Sequence, residues 1–80
     1  MPTEVIAFVT SWCPDCTRSK RLLKRLGVEY SEIDIEAIAG ASEAMRAANG
    51  GSGKIPTIIV DGRVLIEPTD RELEAALTTA

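Results

Sequence analysis

Val5-Ile6-Ala7-Phe8-Val9-Thr10-Ser11-Trp12-Cys13-Pro14-Asp15-Cys16 decides the fold, because a strand-like run passes into a helix-like one across a pair of cysteines. Val5, Ile6, Phe8 and Val9 are apolar and mostly β-favouring, which predicts a short buried strand, and Thr10, Ser11 and Trp12 predict a turn after it. Proline at position 14 suits the first turn of a helix, where its missing N–H is one that would have no partner anyway. Cys13 then stands at the helix entrance, where unpaired backbone N–H groups and the positive end of the dipole favour a thiolate. The 80 residues contain two cysteines, Cys13 and Cys16. The residues alone point to a reactive dithiol. Cys13 is expected to be the more exposed sulfur and the nucleophile, and Cys16, one turn later, either the resolving thiol or a buried small apolar residue.

Working outward, the helical pattern runs from Pro14 to about Leu26, with Ser19, Leu22, Leu23 and Leu26 as an inward stripe. Arg18, Lys20, Arg21, Lys24 and Arg25 cover much of the remainder, as a solvated face, or else as a docking surface or a field favouring the nearby thiolate. Gly27 is a stop signal. Tyr30, Ile33 and Ile35 suggest a second strand with broken alternation, and Ser42 to Ala48 a second helix between Gly40 and Asn49-Gly50-Gly51. Ile55 to Val60 reads as a strand whose Pro56 belongs at its start. Asp61-Gly62 marks a tight hairpin into Arg63-Val64-Leu65-Ile66. Thr69 to Glu72 fits a capping box for a last helix anchored by Leu73 and Leu77. The order strand–helix–strand–helix–strand–strand–helix implies an α/β domain over residues 1–80, a mixed four-stranded sheet flanked by three helices.

Composition narrows the function classes. A hydrophobic share of 45% supports a folded globule, and Asp, Glu, Lys or Arg interrupts every apolar run before transmembrane length. Met1-Pro2-Thr3-Glu4 lacks the basic stretch of an export signal, so a cytoplasmic location is expected. A net charge of −3, with little aromatic interleaving, argues against nucleic acid as a partner. Two cysteines and no histidine do not complete a zinc site within one chain, so no metal is expected.

Trp12-Cys13-Pro14-Asp15-Cys16, Asn49-Gly50-Gly51, Lys54-Ile55-Pro56-Thr57 and Glu67-Pro68-Thr69-Asp70 together resemble the glutaredoxin family of the thioredoxin fold. The likeness is greatest to its small mycoredoxin-like members and covers essentially the whole chain. It implies a thiol–disulfide oxidoreductase with Cys13 and Cys16 at its centre. It also implies a cis proline at Pro56 facing Cys13, and an Ile55 backbone offered to a bound peptide or thiol. Lys54, Thr69 and Asp70 would then contact the thiol ligand's polar groups, and Trp12 would cover one side of the cleft or pack at the surface.

Glutathione-using members of the family carry a tyrosine where Asp15 stands and a Gly-Gly pair where Glu67-Pro68 stands. These departures look more like redoxins that serve mycothiol or a related bacterial thiol. The implied substrates are mixed disulfides between proteins and a low-molecular-weight thiol. That thiol acts as co-substrate, and no cofactor is permanently bound. The runner-up is a small redoxin reduced by a flavoprotein disulfide reductase of the thioredoxin-reductase kind, passing electrons to protein disulfides such as that of ribonucleotide reductase. A non-enzymatic alternative keeps the fold and docks a partner on the basic helix.

Overall fold

The computed structural model describes residues 3–79; Met1 and Pro2, part of the stretch read above for an export signal, lie outside it, as does Ala80. β1 (Val5–Val9) leads through a short turn into α1 (Pro14–Arg25), β2 (Ser31–Asp34) and α2 (Ala41–Ala48). β3 (Thr57–Val60), β4 (Arg63–Ile66) and α3 (Asp70–Thr79) follow. The sheet order is β2-β1-β3-β4, with β1 parallel to β2 and antiparallel to β3, and β4 antiparallel to β3. This is the expected mixed sheet with the thioredoxin-like order of elements.

Parallel pairing of β1 and β2 needs a crossover, and α1 supplies it. Val5, Ala7 and Val9 from β1, with Ile58 and Val60 from β3, form one face of the core against Cys16, Leu22 and Leu23 of α1 and Leu73 and Ala76 of α3. Phe8, Ala41 and Met45 are buried outside that cluster. Strand alternation puts Phe8 on the opposite face of the sheet, where it too is buried.

Covering both faces explains the broken pattern around β2. Ile33 pairs with Phe8 and shares its face, whereas Tyr30 lies just ahead of the strand and packs against the α1/α3 cluster. Apolar residues of both parities are therefore needed, and strict alternation fails. Ile35 lies beyond the strand, its N–H donating to the Val9 carbonyl at 3.0 Å.

Most local signals behave as expected. Asp61 and Gly62 adopt φ values of +47° and +83°, the mirror-image turn that suits a two-residue hairpin. The Glu72 N–H donates to Thr69 Oγ1 at 3.1 Å, and the Thr69 N–H donates to Glu72 Oε1 at 2.8 Å, closing the capping box. Leu26 departs from the inward stripe and is 42% exposed. It is the C-cap of α1, where the helix ends and the chain reverses at Gly27 with φ +70°, so its side chain leaves the face shared by Ser19, Leu22 and Leu23.

Leu23→Ala, at a fully buried site, should lower unfolding free energy by about 3 kcal/mol, whereas Leu26→Ala should cost less than about 1 kcal/mol. Urea unfolding of the two variants checks the contrast, and equal losses would contradict this packing.

Candidate active site

The candidate residues gather at one end of the sheet. β1 runs into Cys13 at its C-terminal end, and β3 begins immediately after Pro56, with Thr57 opposite Phe8. β4 ends at Ile66, opposite the same Thr57, so Glu67, Pro68, Thr69 and Asp70 return to that end.

Cys13 is the N-cap of α1, with extended backbone angles of φ −88° and ψ 115°. Its sulfur accepts a hydrogen bond from the Cys16 N–H at 3.1 Å, and its carbonyl accepts from the Thr17 N–H at 3.1 Å. Sulfur thus takes the place of the usual capping oxygen on one of the helix's unpaired donors. Both cysteines are free thiols. Cys13 is more accessible than Cys16, as expected, yet only 6% exposed against 0%. Folding the side chain back over the first turn to cap the helix draws it against the core, so the sulfur is less open than its position at a helix entrance suggests.

Burial pushes the Cys16 thiol up to about 12, and the hydrogen bond and charge of Cys13 add to the shift. The Thr10 backbone and the Lys20 charge act in the opposite direction without cancelling it. Near neutral pH Cys16 is therefore a neutral thiol.

At the start of β3 the Ile55–Pro56 peptide is cis and Pro56 is buried. The Pro56 carbonyl accepts from the Glu67 N–H at 2.8 Å, joining the start of β3 to the corner after β4. Ile55 is partly buried against the core, and Lys54 is exposed. The Lys54 carbonyl accepts from Thr57 Oγ1 at 2.9 Å, and that hydroxyl accepts from Asn49 Nδ2 at 3.0 Å. Asn49 thereby braces the loop ahead of Pro56.

Trp12 is 65% exposed, and its indole N–H donates to Glu36 Oε1 at 2.8 Å. It stands at the surface flanking the site, on the β2 side, rather than sealing a cleft. Thr69 is engaged in its capping box, and Asp70 is paired with Arg18 Nε at 3.3 Å. The sequence placed Arg18 only within the basic run of α1 and gave Glu36 no role, whereas the structure pairs Arg18 with Asp70 and Glu36 with Trp12. Arg18 carried a signal in its spacing from Asp15, three residues earlier on the same helix. Glu36 carried none, because its link to Trp12 spans two elements.

Among the described residues, no group of three or more His, Cys, Asp or Glu converges in a way that could hold a metal ion. No described helix is long and apolar enough to cross a membrane. Two open depressions, of about 250 and 270 Å³, lie at the other end of the sheet near Thr3 and Glu29, remote from the sulfurs.

Residues 5–65 match the glutaredoxin family. The chain belongs to that family. Its class of chemistry is thiol–disulfide oxidoreduction. A probable glutaredoxin of Synechocystis sp. is 43% identical over 58 residues, which span 72% of this chain and 66% of that protein. Mycoredoxin 1 of Corynebacterium glutamicum is 34% identical over 77 residues, covering 94% of each chain. The solved structure of a glutaredoxin from Archaeoglobus fulgidus superposes with a TM-score of 0.83 at 25% identity, covering 94% of this chain and 86% of that one.

The raised Cys16 thiol has a consequence for stability. In the unfolded chain a cysteine ionises near its ordinary value of about 8.5, while in the folded protein Cys16 keeps its proton up to about 12. Between these values the folded state holds more protons, so its stability is complete below the lower value and falls as pH rises towards the upper one. Urea midpoints of the reduced protein should decline above about pH 9, and Cys16→Ala should flatten that decline. A slope unaffected by the substitution would contradict the burial assigned to Cys16.

Proposed function

We propose that the protein reduces mixed disulfides between proteins and a low-molecular-weight thiol, with mycothiol or a related bacterial thiol as co-substrate. The observation that carries this proposal is Cys13 Sγ at the N-cap of α1, 3.1 Å from the Cys16 N–H. A sulfur anion accepts that bond better than a thiol does, and the helix N-terminus favours negative charge there. Pro56 and Ile55 wall the cleft, with the Ile55 backbone available for strand-like bonds to a bound chain. Trp12 borders it, and Lys54, Thr69 and Asp70 meet the polar end of the small thiol.

In the first step the Cys13 thiolate attacks the small-thiol sulfur of a protein–S–S–R disulfide. A Cys13–S–S–R bond forms, the protein–sulfur bond breaks, and the protein leaves as a thiolate that takes a proton from water. In the second step a second R–S⁻ attacks the R sulfur, forming R–S–S–R and returning the Cys13 thiolate. The alternative second step, attack by Cys16 on Cys13, is disfavoured by the proton that Cys16 retains near neutral pH. The core around Cys16 keeps that disadvantage even once Cys13 is part of a disulfide and its charge is gone.

Support for a mycothiol-like co-substrate comes from alignment along nearly the whole of Mycoredoxin 1, together with Asp15 and the Glu67-Pro68 corner. The proposed setting is the cytoplasm, whose small-thiol pool supplies the electrons.

One protein mixed disulfide, offered with mycothiol, bacillithiol, glutathione or a thioredoxin-reductase system as reductant, tests these assignments. Mycothiol should give the fastest turnover. Cys13→Ser should abolish it, and Cys16→Ser should retain it within about threefold, since the small thiol resolves Cys13 directly. Turnover with the reductase system alone would favour the protein-disulfide pathway, and turnover surviving in Cys13→Ser would overturn the role of that sulfur.

A further inference from the structure

Arg18 engages three of its guanidinium nitrogens at the rim of the site. Nη1 meets Asp15 Oδ1 at 3.3 Å and Nε meets Asp70 Oδ1 at 3.3 Å, so one cation bridges carboxylates carried by two different helices. Nη2 donates to the Pro68 carbonyl at 3.1 Å. Pro68 follows Glu67, whose N–H is bonded to the Pro56 carbonyl, so the same fork also holds the corner that touches Pro56. Asp70 Oδ1 is screened from water and has no well-aligned hydrogen-bond donor, which makes its contact with Arg18 ionic rather than a directed hydrogen bond. The Asp70 side chain as a whole is still 46% exposed, so the pair lies at the surface with one oxygen turned inward against the guanidinium.

We infer that Arg18 sets the charge preference for the small thiol, by neutralising Asp70 at the start of α3 and so favouring a co-substrate with no ammonium group beside its sulfur. This rests on the exchange chemistry proposed above, and names how the rim chooses among thiols. A thiol with a free ammonium has to displace the guanidinium before Asp70 can receive it. A thiol whose cysteine nitrogen is acylated, and which carries no carboxylate, docks without disturbing the pair. Asp15 sits between the two cysteines in sequence, and Arg18 offsets its charge as well. Arg18 acts through these carboxylates and takes no part in bond making, so it is a positioning residue.

A charge series separates this role from a merely structural one. The reduced full-length protein is reacted in a single turnover with cystamine (cationic), hydroxyethyl disulfide (neutral) or dithiodipropionate (anionic), and the Cys13 mixed disulfide is followed by mass spectrometry. Each rate is divided by the neutral one, so a general change in Cys13 reactivity cancels. In Arg18→Gln the cationic-to-neutral ratio should rise about threefold over wild type, the scale that an exposed ion pair supports. The gain should fade in about 0.5 M salt. Arg18→Lys should keep the wild-type ratio, because it retains the charge and loses only the fork. Asp70→Asn should shift the ratio towards the anionic disulfide, and it decides by itself if Arg18→Gln does not fold. Unchanged ratios in Arg18→Gln and Asp70→Asn, with the neutral disulfide still reacting, would overturn the inference alone, as would Arg18→Lys moving as far as Arg18→Gln. A wild-type protein inert to all three disulfides would instead bring down the exchange chemistry itself.

Discussion

The Cys16 N–H pointing back to Cys13 Sγ is the contact on which both the start of α1 and the sulfur chemistry depend. A helix begins with backbone donors that have no partner within it, and most helices satisfy one with a serine, threonine, aspartate or asparagine oxygen. Here a sulfur performs that task, so the group that stabilises the helix is also the group placed where negative charge is best tolerated. Reactivity and helix initiation then share one side chain. The arrangement also separates the two thiols: the same turn that caps α1 with Cys13 carries Cys16 inward to the face of α1 that packs on the sheet.

That division follows from sheet topology. β1 lies between β2 and β3 and is buried along most of its length, so its C-terminal end is the place where the chain can leave the core and turn. Because β2 is parallel to β1, the exit must be a crossover, and α1 packs its Cys16, Leu22 and Leu23 face onto the sheet. Because β3 and β4 are antiparallel neighbours, the start of one and the end of the other arrive beside that exit. Three stretches distant in sequence, at Cys13, at Pro56 and at Glu67 to Asp70, meet through the register of short strands.

The sequence exposed this layout where the determining force was local. Pro14 at a helix start, the Asp61-Gly62 turn and the Thr69–Glu72 capping box each involve residues within one turn of one another, and each is found where the local chemistry requires it. The family motifs added the cis peptide before Pro56, which no local propensity specifies. What stayed illegible depends on tertiary neighbours. Tyr30 and Ile33 looked irregular until both faces of the sheet were covered. Leu26 looked like core because its spacing continues the apolar stripe, and although Gly27 marked the end of the helix, the side chain's turn towards solvent depends on how the chain reverses there. Arg18 looked like one more solvated cation, since Asp70 lies 52 residues away in sequence and comes beside it only when α1 and α3 pack together.

Under the proposed chemistry one half of the substrate is a folded protein, which a chain of 80 residues meets at its surface. Two open depressions lie at the other end of the sheet, whereas both sulfurs are buried at the start of α1. An open surface suits a mixed disulfide, one half of which is a folded protein that no pocket of this small chain could contain. Its cost is that few side chains can surround the small-thiol half and read its shape. Backbone groups near Pro56 serve any extended partner equally, so they supply affinity without much choice. In the role inferred for Arg18, charge at the rim contributes to selection without enclosing the ligand. Arg18 meets Asp15, Asp70 and the Pro68 carbonyl together, so its charge lies against both carboxylates, and in its inferred role that charge, rather than the fork, bears on which thiol is accepted.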